Sequence, residues 1–247
     1  MVELAKTPEV ENLFKVIFLI GRGSRLPNIL DNIFPEGSNI DIRLVVSHKK
    51  PEEGEENVPG ITYAENKDHR IAYWNLAQMR AADKNAFGQN HNKEEFDKWF
   101  MRMFGAFLSQ QYYKPDAIFM TGWDLVLEKE LVTFFPDIPI YNVHPHPLTD
   151  LSDPNQDEIE APDGTKVEVL RGQEVWERAI EKGLSWSGVT IYRIIADDPD
   201  KGHVVTREWL KIEEGETAGQ LRKRLDEIED RITPETILKI ASGEITT

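Results

Sequence analysis

The chain has no cysteine. Disulfides, thiolate metal ligands and a cysteine nucleophile are excluded. Long apolar runs are missing too. The densest early one, Val16 to Ile20, is far too short to cross a bilayer. Met1 to Leu13 interleaves Glu3, Lys6, Glu9 and Glu11 with few apolar positions, which is not the pattern of a secretory leader. These absences lead us to expect a cytoplasmic protein with no membrane partner. Positive charge is also scarce. The 29 Lys and Arg residues stand against 44 Asp and Glu, a net charge of −15. Such a field repels polyanions, so no nucleic-acid partner is expected.

The 247 residues, 40% of them hydrophobic, suffice to build one sizeable core. Phe14 to Ile20 is almost entirely apolar and β-favouring, as in a buried strand. Gly21-Arg22-Gly23-Ser24 follows, and then Leu26, Ile29, Leu30 and Ile33 recur at helical spacing. Further strands are expected at Ile40 to Val46, Ala117 to Met120 and Ile140 to Val143, with a loop from Ser47 to Gly60. The pattern from Tyr73 to Tyr113 is helical, interrupted near Gly88 to Asn92, and another helix is expected near Glu128 to Phe135. This alternation predicts an α/β fold with a doubly wound, mainly parallel, Rossmann-type sheet.

The second half reads differently. Glu158 to Ala161 and Lys166 to Val169 alternate around Pro162-Asp163-Gly164-Thr165, a hairpin signature. A short helix is expected at Gln173 to Lys182, strands at Ser187 to Ile195 and His203 to Leu210, and two closing helices, Thr217 to Arg231 and Pro234 to Ala241. We therefore expect one domain over residues 1–247. It comprises a phosphate-binding half (14–145), a hairpin insertion (146–172) and a C-terminal half with an antiparallel portion (173–247).

Three constellations could carry chemistry. The glycine loop, with Ser24, can aim backbone N–H groups at an anion, and Arg22 and Arg25 can add charge; equally it can be a plain tight turn. Asn142 and His144 lie on one side of a strand that ends where an open α/β sheet faces its ligand crevice. An amide and an imidazole side by side suit stabilisation of a carbonyl oxyanion, or else cap a turn and fill a core. Asp200, in the acidic turn from Asp197 to Gly202, could orient an imidazole or simply be solvated. His144, His146 and His203 lack the spacing of a metal site, and no metal is expected.

Taken in order, Gly21-Arg22-Gly23-Ser24, Val45-Val46-Ser47, Pro115-Asp116 through Thr121-Gly122, Asn142-Val143-His144-Pro145, Ser187-Gly188-Val189-Thr190, Asp197 to Gly202, and Glu229 with Arg231-Ile232-Thr233-Pro234 resemble the 10-formyltetrahydrofolate-dependent formyltransferase family. The resemblance spans roughly Phe14 to Ile245. It implies transfer of a formyl group from 10-formyltetrahydrofolate, as co-substrate, to a primary amine, with Asn142, His144 and Asp200 as the catalytic trio. It places Gly23, Ser24, Arg25 and Glu229 at a phosphorylated acceptor, and Gly122, Trp123, Leu125, Leu127 and Asp197 at the folate. The acceptor it implies is 5-phosphoribosylglycinamide of purine synthesis. A nucleotide-linked amino sugar, or water in a hydrolase, are the alternatives. The segments 73–92 and 150–172 read as insertions, the former a possible contact in a homo-oligomer.

Overall fold

The computed structural model describes residues 13–75, 93–110, 114–123, 132, 134–152, 157–195 and 200–246. The expected sites Leu125, Leu127 and Asp197, and nearly all of the segment 73–92, lie outside them, as does most of the helix expected near residues 128–135.

Strand β1 (Phe14–Ile20) is the hub of the sheet. It pairs in parallel with β2 (Ile40–Ser47) on one side and β4 (Ala117–Thr121) on the other. The parallel order continues outward through β3 (Ile71–Tyr73) beyond β2, and β5 (Ile140–His144) beyond β4. Two long antiparallel strands, β8 (Trp186–Ile194) and β9 (Gly202–Lys211), complete a seven-stranded sheet in the order β3-β2-β1-β4-β5-β8-β9. The expected hairpin is present as a separate pair, β6 (Glu158–Glu160) and β7 (Lys166–Glu168).

Both faces of the parallel half are buried, which is why β1 reads as a continuous apolar run. Val16, Phe18 and Ile20 point to one core, with α1 (Leu26–Asn32), α2 (Pro59–Asn66) and the end of α5 (Ala218–Ala241). Ile17 and Leu19 point to the other, against Phe100, Phe104 and Leu108 of α3 (Lys93–Leu108). A third cluster joins α4 (Val175–Glu181), α5 and β8 through Val175, Ala179, Leu221, Leu225, Val189 and Ile191.

Three expectations are corrected. The loop assigned from Ser47 to Gly60 ends two residues early, because Pro59 opens α2, and proline fits a first helical turn that needs no N–H there. Tyr73 ends a strand and does not begin a helix: Ile71 to Tyr73 pair with Val45 to Ser47, and this pairing outweighs local propensity. The two closing helices are one, α5, which runs through Pro234. Proline lacks the N–H that would reach the carbonyl of Asp230. The side-chain amide of Asn28 donates to that carbonyl instead. The N-terminus of α5 is fixed by a reciprocal cap: Gln220 N–H donates to Thr217 Oγ1, and the Gln220 side chain accepts from Thr217 N–H.

Candidate active site

The strand order reverses between β1 and β4, and ligands bind outside the carboxyl ends of strands at such a switch. Gly21 follows β1 there, and Gly122 follows β4. A Cβ on Gly21 would run into the carbonyl oxygen of Gly122, so only glycine lets these strand ends close. Gly122 has φ +63°, and the space a side chain would enter there is open. The Ser47 hydroxyl donates to the Gly21 carbonyl over 2.7 Å and pins the loop to β2. Trp123 is only 6% exposed: it stacks on Phe104 at 5.7 Å and meets the His48 ring edge-on at 4.6 Å.

In the glycine loop, Gly23 has φ +72° and Ser24 is exposed. The two loop arginines are committed to acids. Arg22 pairs with Glu52 at 2.8 Å and Glu55 at 2.6 Å. Arg25 crosses to α5, where Nε meets Glu229 at 2.9 Å, one terminal nitrogen meets Asp230 at 3.1 Å, and the other meets Asp226. Burial pushes the Glu229 carboxyl up to about 7, against the opposing pull of Arg25. The structure thus brings Arg25 and Glu229 together, although 204 positions separate them in the sequence.

The second cluster surrounds Asp200. This residue has φ +57°, a left-handed conformation that Asp tolerates better than most residues. Its Oδ1 lies 3.4 Å from His144 Nδ1 and accepts from the Tyr192 hydroxyl over 3.0 Å. Its Oδ2 accepts from Gly172 N–H over 2.7 Å. Burial works against the carboxylate, but the bonds and charge of His144, the Gly172 amide and the Tyr192 hydroxyl outweigh it. They hold Asp200 below the ordinary carboxylate range. Asn142 joins the cluster indirectly: its Nδ2 donates to the Tyr192 hydroxyl over 3.0 Å.

His144 is 4% exposed, and its Nε2 lies 2.8 Å from the Leu170 carbonyl. An acceptor oxygen therefore faces each ring nitrogen. With Nε2–H committed to the backbone, Nδ1 is the nitrogen that faces Asp200. His146 is built the same way, two residues on. Its Nε2 lies 2.9 Å from the Glu168 carbonyl, and its Nδ1 lies 3.3 Å from Ser187 Oγ. Burial pushes its pKa down to about 4, so it is neutral, with Nε2 donating and Nδ1 accepting. The His-Pro-His sequence is thus a two-rung ladder that docks the hairpin's return strand on the extension of β5.

The sequence reading missed Tyr192. Its ring is 2% exposed and packs with Leu148 and Val169, where it reads as one more residue of an apolar strand. The available signal was the antiparallel register, which sets Tyr192 opposite Asn142 and Thr190 opposite His144.

This fold and this clustering of an amide, an imidazole and a carboxylate define a class, and comparison with known proteins identifies it. Residues 14–237 match the formyl transferase family, and the chain belongs to it. It is 22% identical, over 93% of its length, to the trifunctional purine biosynthetic protein adenosine-3 of Homo sapiens. It is 24% identical, again over 93% of its length, to a methionyl-tRNA formyltransferase of a Thermotoga species. The chain spans 18% and 59% of these relatives' own lengths. Its fold is that of glycinamide ribonucleotide transformylase 1 from Symbiobacterium toebii, with a TM-score of 0.69, 22% identity, and coverage of 95% of this chain and 91% of that one. Among the described residues no helix is long and apolar enough to cross a membrane.

Proposed function

We propose that the chain transfers a formyl group from 10-formyltetrahydrofolate to a primary amine, that of 5-phosphoribosylglycinamide. One observation carries this reading: a single carboxylate, Asp200, serves both His144 directly and Asn142 through one hydroxyl. The donor supplies an activated formyl carbon.

The residues divide the remaining work. As an amine attacks the formyl carbon, its carbonyl oxygen gains charge. The Asn142 amide N–H and the Nδ1–H of His144 are the donors for that oxygen. Their benefit grows as the charge develops, so they favour the transition state over the bound substrate. Asp200 holds the imidazolium and accepts the proton that the attacking amine must lose, directly or through one water. At 3.4 Å from Asp200, Nδ1–H can be shared between that carboxylate and an incoming oxygen without the ring moving. For the acceptor, Gly23 and the exposed Ser24 offer backbone and hydroxyl donors to a phosphate, and Glu229, steadied by Arg25, offers an acceptor to a ribose hydroxyl.

The test is purified protein incubated with 10-formyltetrahydrofolate and 5-phosphoribosylglycinamide, followed by mass spectrometry for the N-formyl product. The expected result is stoichiometric product and tetrahydrofolate. Failure with this amine in a folded protein that binds the donor overturns the acceptor. Turnover of a nucleotide-linked amino sugar, or donor hydrolysis without any amine, then names the replacement.

A further inference from the structure

We propose that Tyr192 is a positioning residue of the transfer reaction: its hydroxyl fixes which end of the Asn142 amide faces the reacting formyl oxygen, and it ties that choice to the carboxylate that holds His144. The inference rests on the formyl-transfer reading above.

The argument is one of hydrogen-bond stoichiometry. A phenol has one proton to give. Asp200 Oδ1, an acceptor only when ionised, takes it over 3.0 Å. Toward Asn142 the hydroxyl then has only lone pairs to offer, so the amide atom 3.0 Å away is nitrogen. A flipped amide would set its oxygen against those lone pairs. One N–H is spent on Tyr192, and the other stays on the same end of the amide, free for the formyl oxygen. Without the hydroxyl, nothing on this side distinguishes the two ends, and the amide is free to turn its carbonyl dipole toward a developing oxyanion.

Two features keep the device intact. Burial, and next the charge of Asp200, push the Tyr192 hydroxyl far above its ordinary pKa, so it remains a donor. The ring is fully enclosed by Leu148 and Val169, with Ile159 and Ile194 at its margin, so the hairpin insertion forms part of its cover. The antiparallel pairing of Asn142 with Tyr192 sets the hydroxyl within reach.

The test is Tyr192→Phe, which keeps the ring and removes the hydroxyl. The expected result is a kcat reduced roughly 10- to 100-fold, with KM for donor and acceptor within about twofold. This is less than the full loss of an oxyanion donor, because a fraction of the amides still point correctly. Adding Tyr192→Phe to Asn142→Ala should cost little beyond Asn142→Ala alone, since the hydroxyl acts through that amide. The acid limb of the kcat profile should move to higher pH, because Asp200 loses a donor to its charged form. Carbon NMR titration of the Asp200 carboxyl should show the same rise without any turnover, so a protein inactive in formyl transfer still reports on this bond. Should the Phe variant fail to fold, 3-fluorotyrosine at position 192 keeps the shape and strengthens the donor, and the limb should move down. A kcat and pH profile equal to wild type, an unmoved Asp200 titration, or full additivity with Asn142→Ala overturns the proposal.

Discussion

Asn28, on the first turn of α1, donates its side-chain amide to the carbonyl of Asp230, which Pro234 deprives of its helical partner. A gap in one helix is closed by a side chain from another, 202 positions away. Arg25 makes the neighbouring contacts, accepted by the Asp226 carbonyl at 3.2 Å and by the three carboxylates of the same helix face.

Substituting Asn28→Ala should therefore cost about 1–3 kcal/mol, because it strands a partly buried carbonyl. In a Pro234→Ala background, where residue 234 supplies the missing N–H, the same change should cost less. Urea unfolding of the four proteins in this cycle measures the difference.

At the candidate active site, His144→Ala and Asn142→Ala should each lower kcat by about 100- to 1000-fold, the scale for one lost oxyanion donor. Asp200→Asn keeps the shape but gives up the charge that, in the proposed mechanism, would hold the imidazolium and accept the amine's proton. Its loss should be at least as large. Steady-state kinetics with donor and acceptor varied separately check this. A protein that merely binds its ligands would show unchanged affinities and no turnover to lose.

Two buried groups should set opposing pH dependences on stability. Glu229 is raised from 4.5 to about 7 on folding, so the folded state holds the proton more tightly. Its contribution is full below pH 4.5 and is lost as pH rises through about 7. His146 is lowered from 6.5 to about 4, so the unfolded state takes the proton first. Its contribution is full above pH 6.5 and is lost as pH falls toward 4. Between these limits the two slopes offset each other. Thermal unfolding of Glu229→Gln should show stability rising with pH relative to wild type. His146→Gln should show it falling.

A further change, Gly21→Ala, should push apart the ends of β1 and β4, since its methyl group meets the Gly122 carbonyl oxygen. Backbone cannot yield as a flexible side chain does. We expect a loss of roughly 1–3 kcal/mol and a weakened affinity for the folate donor. Calorimetry of unfolding and of donor binding reads the two effects separately.

Much of this architecture was legible in the chain. The apolar run Phe14 to Ile20 with its glycine loop could only be a buried strand feeding a turn, and Pro162 to Thr165 declared the hairpin. Asn142 and His144 could be set on one side of their strand by period alone, and Asp200 lies 3.4 Å from His144. What escaped depends on partners remote in sequence. Pro234 reads as a helix break because the cap that rescues it comes from Asn28. Ile71 to Tyr73 is too short to show a period and is a strand only because β2 offers an edge. Tyr192 looks like core until the register sets it against Asn142. The commitment of Arg22 and Arg25 to carboxylates could not be foreseen from a loop that shows only their positive charge.

The imidazole ladder at residues 144 and 146 also bears on what could be trimmed from this protein. Excising the hairpin would strip the backbone oxygens of Glu168 and Leu170 from two enclosed rings and uncover the side of Tyr192 that rests on Val169. A shortened variant would then leave each of these imidazoles with one ring nitrogen stripped of its backbone partner. The decoration looks dispensable from its place in the sequence, but by its contacts it is part of the wall behind His144, His146 and Tyr192.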